Sequence, residues 1–423
     1  MRFRNLFSLV LITSILLARA PSYGQDSSLL ESYLLSANNP SRSNQEPRPF
    51  LMSLLALFVD GKNFSTTEVP LRFYPERSNL PLVGDRNRIL YSEALQNDPT
   101  APVIFISPGL GSYSFDSLTK YMAKLAYKAG YSVITLPSTT HWTFALGVST
   151  TGRVGSLPDD AKDLYKALIK IKSRLEKNHH LKPRQYALMG YSYGGLDASF
   201  LAAEDLVQKV FNFSFVVALN PPLNRSLAIH KLDQYLVGGD AWSDHRRFKI
   251  QSYATGKLWD LKYSKSHVTS FNSVEGLSNE IKLSENAIAW LIANQFRENM
   301  NESIFVANHL QNTDDKISSS ISSYLQTSLF SPLGVKKAVS GETVEQQSEI
   351  TSALKAQDSA LIKENRFILF QSTDDFLSFP EGQSTLDQLQ VEKHIYPVGG
   401  HMGYVINPIF KAELTKVLKE RHL

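Results

Sequence analysis

Short apolar runs alternate with stretches of helical periodicity between residues 103 and 219, and this alternation constrains the fold more than any other feature. The runs at 103–106, 131–136 and 213–219 are rich in β-branched or aromatic residues, and each stops shortly before a proline. That composition is typical of strands buried on both faces of a sheet. Parallel strands need helical crossovers, so the pattern predicts an α/β fold with a mostly parallel central sheet flanked by helices.

The alternation stops after residue 224 and resumes near residue 366. The segment between them has helical periodicity, few strand signals and many aromatic residues, including Trp242, Trp259 and Trp290. A chain of 423 residues is long for one compact domain, and an insertion explains the length better than two tandem domains. The prediction is an α/β core at residues 66–224 and 366–423, with a large helical cap at 225–365 inserted before the second part.

The N-terminus carries the layout of a secretory signal peptide. Arg2 and Arg4 precede an apolar run at residues 6–18, and small residues follow. This run is shorter than the roughly 20 residues that a membrane-spanning helix needs, which disfavours the alternative of an uncleaved anchor. Pro21 hinders a cut after Ala20, so we expect cleavage after Gly24. Residues 1–24 are then a signal peptide, and the protein is exported to a periplasm or the cell exterior.

A lead-in at residues 25–65 follows, rich in loop-forming residues. Its apolar run at 50–59 is too short to cross a bilayer, so it predicts a buried helix or a docking segment and no membrane span in the mature chain. Loss of residues 1–24 would lower the formal net charge from +4 to about +1, which argues against nucleic-acid binding.

The sequence lacks the residue patterns that usually bind metals and cofactors. The chain has no cysteine, which excludes disulfides, a thiolate nucleophile and cysteine-based zinc sites. We also find no metal-ligand cluster and no glycine loop of the kind that binds phosphates. The sequence therefore predicts chemistry without a metal or another cofactor.

The segment Gly190-Tyr191-Ser192-Tyr193-Gly194 joins a predicted strand to a predicted helix. In that context the G-x-S-x-G pattern is a nucleophile elbow; the alternative is a plain turn at the start of a helix. The sharp turn projects the serine hydroxyl clear of the backbone and brings strand and helix too close for side chains at the two outer positions. We predict Ser192 as nucleophile, with Gly190 and Gly194 required by the turn.

A serine hydroxyl is a weak nucleophile that needs a base oriented by a third group. Asp374 and Asp375 follow the strand predicted at 367–370, and His401 follows the strand predicted at 392–398, inside a glycine-rich loop. The carboxyl ends of parallel strands meet at one edge of the sheet, where ligands gather. Neighbouring loop residues point in different directions, so only one of the two acids is expected to reach His401.

Hydrolysis of an acyl compound also needs donors for the developing oxyanion. We predict one donor to be the backbone N–H of Tyr193, the residue after the nucleophile. The second is expected from the turn after the strand at 103–106, as the N–H of Leu110. An ordinary turn at Pro108-Gly109 would have the same sequence, and this alternative stays open.

Together these residues resemble the α/β-hydrolase superfamily over about 103–224 and 366–423, and the order serine, acid, histidine is that of its members. The segment 399–404 and the turn at 108–112 are similar to the embryogenesis-associated-type esterases and lipases. Pro108 departs from the histidine frequent in that branch, and Gln371-Ser372 departs from its His-Gly. The resemblance implies Asp375 as the acid and acyl transfer to water without a cofactor.

We therefore expect an esterase or lipase-like enzyme acting on a small-molecule ester or acyl substrate, with the aromatic-rich cap and residues 140–144 beside the pocket. The alternatives are a peptidase or amidase with the same triad, and a binding protein on the same fold without catalysis. A peptidase would need a cationic anchor such as Arg246, Arg247 or Arg297. The sequence indicates no oligomeric state.

Overall fold

The computed structural model describes residues 48–59, 61, 63–75, 77, 88–263, 281–311 and 366–422. The expected signal peptide and most of the lead-in before residue 48 lie outside the described residues. So do residues 264–280 and 312–365, which belong to the expected cap.

One sheet of eight strands forms the centre of the protein. Its strands are β1 (Thr67–Leu71), β2 (Ile89–Ala94), β3 (Val103–Ser107), β4 (Ser132–Thr135), β5 (Tyr186–Tyr191), β6 (Val216–Leu219), β7 (Phe367–Ser372) and β8 (Glu392–Tyr396). Their order across the sheet is β1-β2-β4-β3-β5-β6-β7-β8. The pairs β1–β2 and β2–β4 are antiparallel, and all other neighbours are parallel. The predicted fold class is confirmed.

Helices connect and cover these strands. They are α1 (Pro49–Ser53), α2 (Ser117–Lys128), α3 (Trp142–Gly147), α4 (Leu157–His179), α5 (Tyr193–Gln208), α6 (Arg225–Asp240), α7 (Asp244–Tyr263), α8 (Glu285–Gln311), α9 (Gln383–Gln388) and α10 (Pro408–Glu420). Two 3₁₀ helices span Leu54–Phe58 and Gly403–Ile406. Within the described ranges, none of these helices combines the length and the apolar character that crossing a bilayer requires.

The core lies on both faces of the sheet because successive side chains of a strand point to opposite sides. In β3, Phe105 packs into the cluster that α4 and α5 cover, whereas Ile104 packs into the cluster that α2 and α10 cover. A strand with two buried faces needs apolar residues at every position, which explains the unbroken apolar runs in the sequence.

Between β6 and β7, the described part of the expected cap consists of α6, α7 and α8. Helices α6 and α8 pack around an apolar cluster that includes Leu236, Trp290 and Ile304. Phe376, which follows the carboxyl end of β7, belongs to the same cluster, and Leu110, which follows the carboxyl end of β3, packs against it. These helices therefore lie over the edge of the sheet at which the predicted site residues gather.

Candidate active site

Ser192 lies between β5 and α5 in a backbone conformation that non-glycine residues rarely adopt, with φ 54° and ψ −127°. Such a conformation costs about 1–3 kcal/mol and persists only where its surroundings fix it. The Ser192 N–H donates to the Leu219 carbonyl at 2.8 Å, and the Gly195 N–H donates to the Ser192 carbonyl at 2.9 Å. The turn thereby aims the Ser192 hydroxyl at His401, whose Nε2 lies 2.7 Å from Oγ.

The two glycines of this turn stand where a side chain has no space. A Cβ on Gly190 would overlap the carbonyl of Gly194, where the helix begins. A Cβ on Gly194 would overlap the carbonyl oxygens of Ser107 and Pro108, at the end of β3. Both obstacles are backbone atoms, which cannot rotate away as a side chain can.

Gly194→Ala is expected to lower the free energy of unfolding by about 1–3 kcal/mol, the usual range for overpacking. It should also lower the expected ester hydrolysis about 10²-fold, because the displaced carbonyls lead into the turn that carries Leu110. Urea denaturation and kcat measure the two effects. The matched control is Gly238→Ala, since a Cβ on Gly238 meets no atom within 4 Å. Equal effects of the two replacements would contradict the prediction.

Asp374 and Asp375 follow β7 and have different partners. Asp375 is fully buried, its Oδ2 lies 2.9 Å from His401 Nδ1, and its Oδ1 accepts the Leu377 N–H at 2.9 Å. Asp374 accepts the N–H groups of Gly399 at 3.1 Å and Gly400 at 2.8 Å. Burial raises the pKa of Asp374, and these two hydrogen bonds oppose the rise. The structure therefore brings Asp375 to the histidine ring, while Asp374 holds the backbone before it.

His401 lies in a loop with unusual backbone angles, since φ is 148° at Gly399, 55° at Gly400 and 70° at Met402. Glycine adopts such angles without steric cost. A Cβ on Gly400 would overlap the Pro49 carbonyl, so the lead-in presses against this loop. The His401 N–H donates to Ser53 Oγ at 2.7 Å.

Asn220 supports the same site, although the sequence analysis missed it. It follows β6 with φ 41°, and its Nδ2 donates to Asp375 Oδ2 at 2.9 Å and to the Gly400 carbonyl at 3.2 Å. Its Oδ1 accepts the Ser372 N–H at 3.1 Å. An asparagine directly after a strand, at a position where its type tolerates a positive φ, was the available signal. One side chain thus links the loops that carry the acid and the histidine.

The two expected oxyanion donors belong to segments next to Ser192. The turn that carries Leu110 runs beside Ser192, since a Cβ on Gly109 would lie 3.2 Å from Ser192 Cβ. Tyr193 is the first residue of α5, where helix N–H groups have no partner within the helix. In the part of the chain that the structure describes, neither the Tyr193 N–H nor the Leu110 N–H donates to an acceptor. Both donors are thus available to a ligand.

Residues 140–144, expected beside the pocket, have two different environments. Thr140 Oγ1 accepts the Gly111 N–H at 2.9 Å, next to Leu110, and its carbonyl accepts the hydroxyl of Ser303 in α8 at 2.7 Å. Phe144 is fully buried in the core cluster of the sheet. Thr140 therefore connects the Leu110 turn to the cap, whereas Phe144 is a packing residue.

A buried carboxyl lies behind the elbow, on α5. Asp197 accepts hydrogen bonds from Ser107 Oγ at 3.1 Å and from Thr139 Oγ1 at 3.0 Å. Its complete burial raises the pKa to about 7, which the two hydrogen bonds and the nearby Arg225 guanidinium oppose. The buried Asp160 lies close enough to interact with it electrostatically. This polar layer joins the end of β3 to the helix that begins at the nucleophile.

The raised pKa of Asp197 predicts a pH dependence of stability. The folded-state pKa of about 7 exceeds the ordinary value of 3.8, so the folded protein holds the proton longer than the unfolded chain. The free energy of unfolding should therefore fall as pH rises from about 4 to about 7, on the order of a few kcal/mol. Asp197→Asn should make this fall shallower in urea denaturation at stepped pH, while the raised pKa values of Asp160 and Glu302 keep part of it. The exposed Asp387→Asn is the control, and parallel curves for both variants would contradict the prediction.

In the described residues, no group of histidine, aspartate and glutamate side chains is arranged to hold a metal ion. The polar atoms around Ser192 instead form a chain of hydrogen bonds from Asp375 through His401 to the hydroxyl. That arrangement can move a proton off the serine, and the free N–H groups beside it can stabilise a negative oxygen.

Comparisons with known proteins give likeness in structure alone. No protein-family profile matches the chain, and no curated protein matches it in sequence. A brefeldin A esterase, described as a bacterial homologue of human hormone-sensitive lipase, is 13% identical with a TM-score of 0.41, over 100% of this chain and 94% of that one. A bacterial heroin esterase is 12% identical with a TM-score of 0.45, over 94% and 100%. A fungal esterase from Rhizomucor miehei is 13% identical with a TM-score of 0.42, over 95% and 97%.

Proposed function

We propose that this protein is a serine hydrolase that cleaves a carboxylic ester through an acyl-enzyme intermediate. One observation carries the proposal. The Oγ of Ser192, on a strained turn, lies 2.7 Å from His401 Nε2, while Nδ1 of the same ring lies 2.9 Å from a fully buried carboxylate, Asp375. A nucleophile, a base and an orienting acid in hydrogen-bond reach are the requirements of covalent acyl transfer.

The catalytic cycle follows from these contacts. His401 Nε2 takes the proton from Ser192 Oγ as the oxygen attacks the ester carbonyl, and Asp375 stabilises the imidazolium that forms. The N–H groups of Tyr193 and Leu110 donate to the oxyanion of the tetrahedral intermediate. His401 then gives its proton to the leaving alcohol. A water molecule, activated by the same nitrogen, releases the acid and restores the serine.

The surroundings of the triad favour an apolar acyl or aryl group. Phe376 lies 5.9 Å from the His401 ring, and both Phe376 and Leu110 belong to or border the apolar cluster of the cap. The arginines that could anchor a peptide terminus contact cap residues. Arg247 and Arg297 pair with Asp240. These contacts support an ester substrate over a peptide.

Export is also part of the proposal, because residues 1–24 have the layout of a signal peptide.

Labelling with a fluorophosphonate tests the proposal, because the probe reacts rapidly with a serine that a neighbouring base activates. We expect the folded protein to take up one label, heat-denatured protein to take up none, and mass spectrometry to find the label on Ser192. A panel of p-nitrophenyl esters of rising chain length, beside a peptide p-nitroanilide, should show turnover of esters with a preference for longer acyl chains. Faster anilide cleavage would favour the peptidase alternative. A well-folded protein that does not label would favour a binding protein.

A further inference from the structure

The lead-in helix α1 contacts the loop that carries His401, which we call the histidine loop (residues 397–402). Ser53 Oγ accepts the His401 N–H at 2.7 Å and donates to the Pro49 carbonyl at 2.7 Å. The Pro49 carbonyl lies so close to Gly400 that no side chain fits there, and the Met52 carbonyl is equally close to Gly403. The lead-in therefore borders the chain on both sides of His401.

The same segment is fixed to the cap. Arg48 Nε donates to Glu285 Oε1 at 3.1 Å, and the Phe50 N–H donates to Glu285 Oε2 at 3.0 Å. Glu285 is the first residue of α8, and its carboxylate reaches back to the lead-in in a half-buried contact. Leu51 is fully buried in a cluster shared with Ile288 of α8.

Aromatic packing ties the lead-in to the acid-bearing loop as well. The Phe50 ring lies 4.4 Å from Phe376 and 5.0 Å from Tyr235 of α6, centroid to centroid. Phe376 directly follows Asp375 in the chain and also contacts His401. A segment with this many contacts cannot shift without disturbing the loops it joins.

We infer that the lead-in helix α1 supports catalysis by holding the histidine loop in place. Ser53 is the positioning residue that fixes where the His401 ring lies. This inference rests on the proposed hydrolase function. The hydroxyl satisfies the His401 N–H and is itself oriented by the Pro49 carbonyl, so the histidine loop has one defined position against α1. Without the hydroxyl, the histidine loop loses its hydrogen bond to α1, while Ser192, Asp375 and His401 all remain.

The test compares the full chain with Ser53→Ala, Ser53→Thr and Ser65→Ala. Threonine keeps the hydroxyl and can bond the carbonyl four residues earlier in a helix, as Ser53 does. Ser65 is an exposed serine of the same lead-in and serves as control. For Ser53→Ala we expect kcat and the fluorophosphonate labelling rate to fall about tenfold, with KM changed by less than about twofold. Ser53→Thr should recover most of the rate, and Ser65→Ala should match the wild type.

All rates are measured well below the unfolding midpoint of each variant, and thermal unfolding is recorded beside them. Wild-type rates in Ser53→Ala, with or without a lower midpoint, would show a merely structural role and overturn the inference alone. A rate as low in Ser53→Thr as in Ser53→Ala would also overturn it, since the hydroxyl would not be the cause. A wild-type protein that neither labels nor hydrolyses esters would overturn the proposed function itself.

Discussion

Ser192→Ala is expected to lower kcat for ester hydrolysis about 10⁶-fold, the loss that removal of the nucleophile causes in another serine hydrolase. The Ser192 hydroxyl contacts His401 Nε2, and no other polar side chain in the described residues is bonded to that nitrogen. Alanine and serine both carry a Cβ and therefore have the same steric restriction on φ and ψ, so the replacement adds no backbone strain at this position. The fold should therefore be kept, with near-wild-type circular dichroism and unfolding midpoint, while fluorophosphonate labelling disappears.

The matched control for this loss is Ser199→Ala, which changes a buried serine of α5, the helix that follows Ser192. Its hydroxyl donates to the Gly195 carbonyl at 2.8 Å and does not touch His401. We expect labelling and turnover of this variant to stay close to the wild type. Residual labelling of Ser192→Ala, at a rate comparable with the control, would place the reactive serine elsewhere in the chain.

The sheet and the elbow could be predicted because their determinants are local. Continuous apolar runs mark strands with two buried faces, and the glycines at 190 and 194 mark positions where a side chain would overlap backbone atoms. The ends of strands depend on contacts outside the run itself. The run at 213–219 predicts a longer strand than the observed β6. The structure has a shorter strand because the Phe213 N–H donates to the Asp205 carboxylate and not to a neighbouring strand.

The partners of the site residues could not be predicted, because their contacts are made across large distances in the chain. Ser53 and His401 are 348 residues apart, and Asn220 and Asp375 are 155 apart. Ser53 has no sequence context that indicates such a partner, and the position of Asn220 after a strand does not show which residue it bonds. The choice between Asp374 and Asp375 needed a family resemblance, since both follow the same strand, and only side-chain directions separate them.

Asp375→Asn is expected to lower kcat about 10⁴-fold, because an asparagine here fixes the wrong tautomer of His401. Asp375 Oδ2 accepts from Asn220 Nδ2 and His401 Nδ1, and Oδ1 accepts from the Leu377 N–H. An amide NH₂ at the Oδ2 position would face three donors, on Asn220, Gln371 and His401, and His401 could bond it only by giving up the proton on Nδ1. Nε2 would then carry the proton and could no longer accept one from Ser192.

The neighbouring Asp374→Asn is the sharpest control, since it makes the same chemical change one residue away. Asp374 fixes the Gly399 and Gly400 N–H groups, and an asparagine keeps one of these two bonds. We expect a loss of about tenfold in kcat from the loosened histidine loop, with no change of tautomer. Measured side by side on one ester, the two variants should differ about 10³-fold. A larger loss in Asp374→Asn than in Asp375→Asn would mean that Asp374, and not Asp375, is the acid that orients His401.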